Sequence, residues 1–271
     1  MRYFSPILFV FILLQSSWVQ AADADELGEL GSDIYLRAIK QAHDKKLYGA
    51  VGGLLFNSQR LVGSKDRVSG AFPVLIMSYA NSFYWNIGSG GYWFYTADDR
   101  RLRFAAVVKL RPGYKTDDDD LLQGMEERKL SLDAGIRMKL KTGSLLTNAA
   151  VYTDIANRSD GQSASLKISL PFKLATTWRL SPSLSVDWLS DDLVDYYYGV
   201  RASEATGSRP EYHGRATLNS RIGLNLSHRF AKDWLAFAGA SYLRLGDGLY
   251  DSPIVQHKGI ATYYIGAGWI F

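Results

Sequence analysis

Apolar and polar residues alternate along much of this chain. From 129 to 141 every second residue is apolar, and most of the residues between them are lysine, arginine, serine or aspartate. A helix would spread these residues around its axis, whereas a strand sorts them onto two opposite faces. The same alternation recurs in 101–111, 162–174 and 217–230. The pattern predicts a protein built mainly from two-faced β-strands.

The length of these strands indicates a membrane barrel. Strands of soluble sandwiches are usually about five or six residues long, whereas a tilted strand needs about ten to cross a bilayer. Aromatic residues, which are favoured at membrane interfaces, cluster near the predicted strand ends. They are Trp85, Tyr92, Trp93, Tyr95, Trp178, Trp188, Trp234, Tyr242, Tyr263 and Trp269. We therefore expect an all-β fold, a transmembrane antiparallel up-and-down β-barrel.

About twelve strands are predicted, or ten if the short third and fourth are merged. The segments are 46–56, 70–80, 82–88, 90–96, 101–112, 129–141, 144–155, 162–178, 184–200, 214–230, 234–245 and 258–271. Short turns are expected at Thr142-Gly143, Ser181-Pro182 and Ala231-Lys232-Asp233, and long loops at 57–69, 113–128, 155–161, 201–213 and 246–257. Short and long connections alternate, so we expect both termini on the periplasmic side.

The N-terminal segment has the features of an export signal. Arg2 precedes an apolar run from Ile7 to Leu14, and Ala21 offers a cleavage site, which predicts a signal peptide over 1–21. Residues 22–45 are expected to form a periplasmic extension, for which a helix is one option. Residues 46–271 are expected to form an outer-membrane barrel. The terminal Phe271 closes an apolar row, which resembles the C-terminal signal of outer-membrane barrels.

Composition excludes several kinds of chemistry. The chain has no cysteine, and therefore no disulfide, thiolate nucleophile or lipid-modified cysteine. A net charge of +4 with scattered basic residues does not indicate nucleic-acid binding. Of the four histidines, His43, His213, His228 and His257, His228 is read as interfacial, and His213 and His257 as solvated groups in or near external loops. We expect no catalytic residue, metal site or cofactor.

Two other clusters have simple structural interpretations. The run Asp117-Asp118-Asp119-Asp120, with Glu126 and Glu127 close behind, could bind a divalent cation, but solvated loops often carry such charge runs. Gly88-Ser89-Gly90-Gly91 lacks the lysine and following helix of a phosphate-binding loop, so it is read as a turn.

The polar faces of the clearest strands are strongly basic. Their cations are Arg101, Arg103, Lys109, Arg111, Lys129, Arg137, Lys139, Lys141, Lys167, Lys173, Arg221 and Arg229, and Asp133 is the one acid among them. If this face lines the lumen, a conducting path would prefer anions. Alternatively, neighbours such as Asp154 and Asp187 neutralise these cations and the barrel is closed.

Several motifs resemble the MipA/OmpV family of outer-membrane proteins. They are Asp195-Tyr196-Tyr197-Tyr198-Gly199-Val200 with Glu204-Ala205, Arg209 and Tyr212; Asp251-Ser252-Pro253-Ile254-Val255; Leu122-Gln123-Gly124-Met125 with Arg128; and, more weakly, Gly63-Ser64. The resemblance covers roughly 46–271. It implies an outer-membrane barrel without enzymatic activity.

The resemblance also implies a set of partners. The founding member of the family is regarded as a scaffold that links a lytic transglycosylase to a penicillin-binding protein in murein synthesis. We therefore expect a cell-envelope scaffold that contacts outer-membrane lipid and lipopolysaccharide and binds murein-synthesising and murein-cleaving enzymes. The alternatives are a narrow anion or small-solute channel and, from another class, a hydrolase embedded in the barrel.

Overall fold

The computed structural model describes residues 45–271. The signal peptide predicted over 1–21, and the extension predicted over 22–45 up to its last residue, lie outside the described residues. His43 lies outside them as well. Among the described residues, no helix is both long enough and apolar enough to cross a membrane.

The strands form one closed antiparallel ring. They are β1 (Leu47–Gln59), β2 (Arg67–Tyr79), β3 (Phe83–Asn86), β4 (Ser89–Thr96), β5 (Leu102–Arg111), β6 (Ser131–Thr142), β7 (Leu145–Asp154), β8 (Gln162–Ser169), β9 (Phe172–Lys173), β10 (Trp178–Leu189), β11 (Thr217–Ala231), β12 (Trp234–Arg244) and β13 (Gly259–Ile270). Each strand pairs with its neighbours along the chain, except that β8 and β9 both pair with β10, and β1 pairs with β13. Because β9 continues β8 along the same edge of β10, the ring has twelve strands, as predicted.

The alternation in the sequence sorts side chains between the two faces of the wall. Ile136 and Ile222 point outward and are 46% and 58% exposed. Arg137 on β6 is partly buried, and Arg221 on β11 is buried, because both lie on the inward face. The outward apolar surface suits lipid, and the inward face carries most of the charge, which confirms the predicted orientation.

One wall of the interior is apolar. Leu54, Phe56, Val74, Ile76 and Phe237 form a buried cluster inside β1, β2 and β12. Their strands therefore carry apolar residues on both faces, and their alternation in the sequence is weak. The lumen is thus divided between this apolar wall and a charged wall formed by β5 to β8, β10 and β11.

Aromatic residues form bands on the outer surface near both ends of the barrel. At the end that holds the termini, the Trp178 ring stacks on His228 with centroids 4.1 Å apart, and Trp234 packs near Phe230. Trp188, Tyr242 and Tyr263 are exposed near the opposite end. His228 is therefore interfacial, as predicted.

One of the predicted interfacial aromatics is instead buried inside the barrel. Trp93 packs against Tyr84 with ring centroids 5.0 Å apart, and the Arg103 guanidinium lies 4.1 Å from the Trp93 ring centroid. The interfacial assignment of Trp93 was wrong. A cation–π contact accommodates the tryptophan beside a lumenal charge.

The strand predicted over 184–200 is wrong in its second half. The strand β10 ends at Leu189, and helix α1 (Asp191–Tyr198) follows. Ser190 caps this helix, because its hydroxyl accepts a hydrogen bond from the Leu193 amide at 3.3 Å. The acidic residues of the first helical turn add favourable interactions with the helix dipole.

The turn predicted at Ser181-Pro182 is also wrong, since both residues lie inside β10. Pro182 lies opposite the two-residue gap between β8 and β9, and Pro171 occupies that gap. Neither proline can donate a ladder hydrogen bond, so the two interrupt the same stretch of sheet. The actual turn lies at 174–177.

The two ends of the barrel differ in their connections. The segments 80–82, 97–101, 143–144, 174–177 and 232–233 are short and share an end with the termini. The longer segments emerge at the other end, where they include α2 (Asp247–Tyr250) and 3-10 helices at Thr116–Asp118, Asp120–Leu122 and Ala202–Glu204. The termini thus share an end with the short connections, and the periplasmic position of that end stays a prediction.

Candidate functional site: a lid of loops over a lumenal cavity

Four long segments pack together over one end of the barrel. We call 60–66, 112–130, 190–216 and 245–258 the lid. Its apolar core consists of buried side chains from all four segments: Leu61, Tyr114, Leu122, Met125, Val194, Val200, Leu245, Leu249, Ile254 and Val255. Burial of apolar side chains is the main source of stability in proteins, so this shared core holds the four segments together as one packed structure.

A buried ion pair links two of the lid segments. Arg128 donates two hydrogen bonds, each 3.0 Å long, to the two carboxylate oxygens of Glu204. The two side chains are only 1% and 2% exposed. Arg128 also donates to the carbonyl oxygens of Tyr196 at 2.6 Å and Glu126 at 2.8 Å. The pair therefore has the bidentate geometry and the additional bonds that a buried charge requires.

The carboxylate of Glu204 is held in its charged form. Burial alone would raise the pKa of Glu204, but hydrogen bonds from Arg128 and from the amides of Arg201 and Glu126 outweigh it and lower the pKa to about 2. These amides lie 3.0 and 2.8 Å from the carboxylate oxygens. The site remains an ion pair at any physiological pH.

A second buried arginine holds the backbone of the same region. Arg209 donates to the carbonyl oxygens of Leu121 at 2.6 Å and Gln123 at 3.0 Å. It also donates to the Glu204 carbonyl oxygen at 2.8 Å. Arg128 and Arg209 therefore fasten the segment 112–130 to the segment 190–216 from two sides.

The remaining two segments are fastened by backbone contacts. Ser252 donates its hydroxyl to the Tyr198 carbonyl oxygen at 2.5 Å, and Tyr212 donates to Gly248 at 2.7 Å. The Gly63 carbonyl oxygen accepts hydrogen bonds from the amides of Gln256 and His257, each 2.8 Å long. Gly63 has a φ of +83°, and a Cβ there would overlap the Val255 side chain.

The lid thus brings together the motifs that resemble the family. Arg128, Glu204, Arg209 and Ser252 come from three of these motifs, and each bonds another lid segment. The sequence drew attention to these residues, but it gave no sign that they contact one another. Arg128 and Glu204 are 76 positions apart.

The acidic run predicted as a possible cation site has local structural contacts. Asp118 accepts a hydrogen bond from the Lys115 amide at 2.7 Å. Asp119 accepts from the Leu121 amide at 3.1 Å and from the Ser64 hydroxyl at 2.7 Å. No group of three or more potential metal ligands occurs within residues 45–271.

A cavity of about 210 Å³ lies beneath the lid, between it and the charged wall of the lumen. Lys109, Arg111, Asp187 and Arg221 contribute charged groups to its lining. Leucine and isoleucine side chains of the lid form its apolar part, and they include Leu122, Leu245, Leu249 and Ile254. The cavity therefore has a polar side and an apolar side, as small-molecule sites commonly do.

Several lumenal cations have close partners. Arg111 donates two hydrogen bonds, of 2.6 and 2.9 Å, to buried Asp133. The Lys109 ammonium lies 5.4 Å from the Tyr152 ring centroid. Asp154, which was expected to neutralise lumenal cations, instead accepts hydrogen bonds from the Ser131 hydroxyl and from loop amides. Asp133 is thus the acid that pairs with Arg111, whereas the bonds of Asp154 go to a hydroxyl and to main-chain amides.

Three residues that line the cavity each have a polar atom that is buried and has no hydrogen-bond partner among the described residues. These atoms are the hydroxyl oxygens of Tyr114 and Tyr197 and the amide oxygen Oε1 of Gln59. Burial raises the pKa of Tyr114 to about 12 and raises the pKa of Tyr197 as well. Both phenols therefore stay protonated at neutral pH.

The described histidines do not converge on this cavity. His213 is 80% exposed in the lid, where it lies 3.4 Å from Glu211 and 3.7 Å from Asp195. His257 is exposed in another lid segment, and His228 lies on the outer surface near the opposite end of the barrel. The three described histidines therefore occupy separate parts of the surface.

Comparison with known proteins identifies the family. The family model described as MltA-interacting protein MipA matches residues 51–271. The MltA-interacting protein of Escherichia coli K12 is 25% identical over 203 residues, which cover 71% of this chain and 78% of that protein. Outer membrane protein Omp26La of Vibrio anguillarum and outer membrane protein OmpV of Vibrio cholerae are each 28% identical over 143 residues, or 53% of this chain. These matches span about 55% of each Vibrio protein.

Solved barrel structures also align with the chain. The NanC porin structure gives a TM-score of 0.42 at 10% identity and covers 82% of this chain and 98% of its own. The outer membrane channel DcaP of Acinetobacter baumannii gives a TM-score of 0.41 at 10% identity, with coverage of 83% and 96%.

Proposed function

The chain belongs to the MltA-interacting protein MipA family and is an outer-membrane β-barrel, and from this premise we propose that it acts as a non-enzymatic scaffold for murein enzymes. The proposed partner is a periplasmic enzyme that synthesises or cleaves murein. The printed name of the Escherichia coli relative, MltA-interacting protein, supports this class of partner. The names of the other relatives describe membrane proteins and mention no reaction.

The observation that carries the proposal is the packed lid. With Arg128 and Glu204 buried between two of its segments, the outer end of the barrel is covered. A covered barrel is better suited to holding a partner in place than to passing large solutes. The surface available to that partner is the opposite end, where the short turns are held rigidly by the sheet.

The charge of that opposite end indicates what kind of surface it would bind. We call the short connections 80–82, 97–101, 143–144, 174–177 and 232–233, with the adjoining strand ends, the periplasmic rim. Its exposed cations are Lys46, Arg100, Arg101, Lys141, Lys173 and Lys232, and its acids are Asp98, Asp99 and Asp233. Arg101 and Asp99 pair at 3.4 Å. A net basic rim favours a partner with an acidic patch, because complementary charge steers association.

Site-specific photo-crosslinking in intact envelopes tests this proposal. Crosslinkers placed at the periplasmic rim should capture murein enzymes, and the double variant Arg100→Glu, Lys232→Glu should weaken the capture. The matched control reverses two exposed lid cations, Lys65→Glu and Lys115→Glu, and should leave it unchanged. Each experiment is repeated without residues 22–45, to separate rim binding from binding by that segment. Equal capture by rim and lid positions, or none of a murein enzyme, would contradict the proposal.

The basic lumen supports a second candidate, a narrow anion-conducting path. Arg103, Lys109, Arg137, Lys139 and Lys167 all lie on inward faces of neighbouring strands. Basic linings favour anions. Conductance in planar bilayers tests this candidate: anion selectivity would support it, and cation selectivity would refute it.

A further inference from the structure

A small basic patch lies on the outer surface of the barrel at the lid end. We call Arg67 on β2 and Arg244 on β12, with the neighbouring Tyr263 and Tyr242, the outer patch; all four side chains are exposed. We propose that the outer patch binds the two phosphates of lipid A, the membrane anchor of lipopolysaccharide. Any outer-membrane barrel touches lipid, whereas this patch selects a lipid that carries two phosphates, and this role is independent of the scaffold proposed above.

The order of side chains along the outer wall matches the layers of a lipid leaflet. On the outward face of β12, Arg244 lies two residues closer to the lid than Tyr242. The Arg67 guanidinium lies 5.8 Å from the ring centroid of Tyr263, and the pairing of β1 with its two neighbours places Arg67 on the lid side of that ring. Farther from the lid, the exposed residues are aliphatic, and they include Leu55, Ile222 and Ile265. Cations, tyrosines and aliphatic side chains thus follow one another as phosphates, interface and acyl chains do.

The two arginines have no acidic partner on their own face of the sheet. The five neighbouring strands β11, β12, β13, β1 and β2 contain no aspartate or glutamate. Arg67 donates to the side chain of Asn57 at 2.8 Å and otherwise to main-chain carbonyl oxygens. Within residues 45–271 the Arg244 side chain makes neither a hydrogen bond nor an ion pair. Both guanidinium groups therefore keep their charge available for phosphate, which arginine binds well.

The lid segments beside the outer patch carry charges that balance one another. An open groove of about 590 Å³ is lined by Arg244 and by Arg215, Lys258 and Asp247. Lys258 donates to Asp247 at 2.5 Å, and Arg215 donates to Asp251 at 2.6 Å. The hydrogen bond and the charge of Lys258 lower the pKa of Asp247, and Arg244 contributes less. Asp247 is therefore neutralised mainly by Lys258, and Arg244 remains the cation of this groove without an ion-pair partner among the described residues.

The arginine beside the first lid segment is in a similar position. Lys65 and Asp66, which directly precede Arg67, carry opposite charges and add nothing to the net charge of the outer patch. Arg67 and Arg244 are thus its two uncompensated cations.

The separation of the two arginines favours a headgroup with two phosphates. The strands β12 and β2 are three strand spacings apart in the sheet, or about 14 Å. The headgroup of lipid A is a disaccharide with a phosphate at each end, so one molecule can engage both arginines. A phospholipid with a single phosphate engages one of them.

Native mass spectrometry of the full chain with added lipids tests the proposal. Lipid A with both phosphates should bind the wild type about fivefold more tightly than monophosphoryl lipid A with the same acyl chains, because exposed charge pairs are modest. Arg67→Gln and Arg244→Gln should each weaken binding of the form with two phosphates about fivefold, and the double variant should bind both forms equally. The matched control, Lys129→Gln with Arg158→Gln, removes two exposed cations at the same end on the far side of the ring and should bind like the wild type.

Phosphatidylglycerol separates recognition of lipid A from attraction to any anionic lipid. It should bind weakly, and equally, to the wild type and to the double variant of the outer patch. Thermal unfolding of the variants should change little, because both arginines are exposed. Three results would overturn the proposal. They are equal binding of the two forms of lipid A to the wild type, an equal loss in the control variant, and binding of phosphatidylglycerol as tight as that of lipid A.

Discussion

Replacing Glu204 by glutamine is the sharpest test of the lid. The substitution keeps the size of the side chain but removes its charge, and it leaves Arg128 buried without a counter-ion. It also places an amide hydrogen-bond donor where Arg128, Arg201 and Glu126 all offer donors to the carboxylate oxygens. The lid should therefore open more readily, while the ring of strands should stay intact.

Two independent figures give the loss of lid stability expected for Glu204→Gln. The pKa of Glu204 is lowered from 4.5 to about 2, which corresponds to about 3 kcal/mol of stabilisation at neutral pH. Removing one partner of a buried ion pair typically costs about 3–5 kcal/mol. Taking about 3 kcal/mol, the equilibrium for opening the lid should shift by about 100-fold.

Hydrogen exchange measures this shift directly. Protected amides in 112–130 and 190–216 exchange through local opening, so their rates should rise about 100-fold in Glu204→Gln at pH 7. Amides in the middle of β6, far from the lid, should exchange at the wild-type rate. Sensitivity of the two segments to added protease should increase in parallel.

Glu126→Gln is the matched control for this measurement. Glu126 pairs with Arg201 in the same lid, but the two side chains are 65% and 48% exposed. Exposed pairs contribute at most about 1 kcal/mol, so exchange should change by less than about fivefold. If the two variants behaved alike, or if Glu204→Gln changed exchange by less than about threefold, the assignment of Glu204 as the anchor of the lid would be refuted.

Three further predictions concern other parts of the barrel. The stability that the Glu204 carboxylate gives the lid should be complete above pH 4.5 and should decline as the pH falls toward about 2. A carboxyl group whose pKa is lowered by folding stabilises the folded state only while it is ionised. Hydrogen exchange of lid amides measured against pH checks this. Gly63→Ala should destabilise the lid by more than about 1 kcal/mol in thermal melts, whereas Gly143→Ala, which shares the positive φ but has open space around it, should cost less. Ile136→Arg should cost about 2–4 kcal/mol in reversible unfolding from lipid, because its side chain faces the membrane; a neutral result would contradict the outward assignment.

The ring could be predicted from the sequence because its residues obey a period of two. Where one face is apolar and the other charged, as on β6, the strand and both of its faces are evident from the sequence. On β1, Leu54 and Phe56 point into the interior and are apolar too, so the alternation fades, although the sequence still predicts a strand there. The apolar wall of the lumen could not be inferred for that reason.

The lid illustrates what the sequence could not show. Helix α1 begins at Asp191 after the cap residue Ser190. Ser190, Asp191 and Asp192 are standard signals for a helix start, but the aromatic run after them favours a strand. The bonds of Arg128 and Arg209 join segments far apart along the chain, and no local pattern specifies such distant partners. The motifs indicated which residues to examine, whereas their contacts required the structure.

The two lid arginines bond mainly to main-chain oxygens, some in the neighbouring segment and some in their own. Arg209 donates to the carbonyls of Leu121, Gln123 and Glu204, and Arg128 to those of Tyr196 and Glu126. These hydrogen bonds depend on the path of the backbone. The residue whose carbonyl oxygen accepts the bond can therefore carry almost any side chain. The side chains of the held residues can therefore change while the lid keeps its architecture.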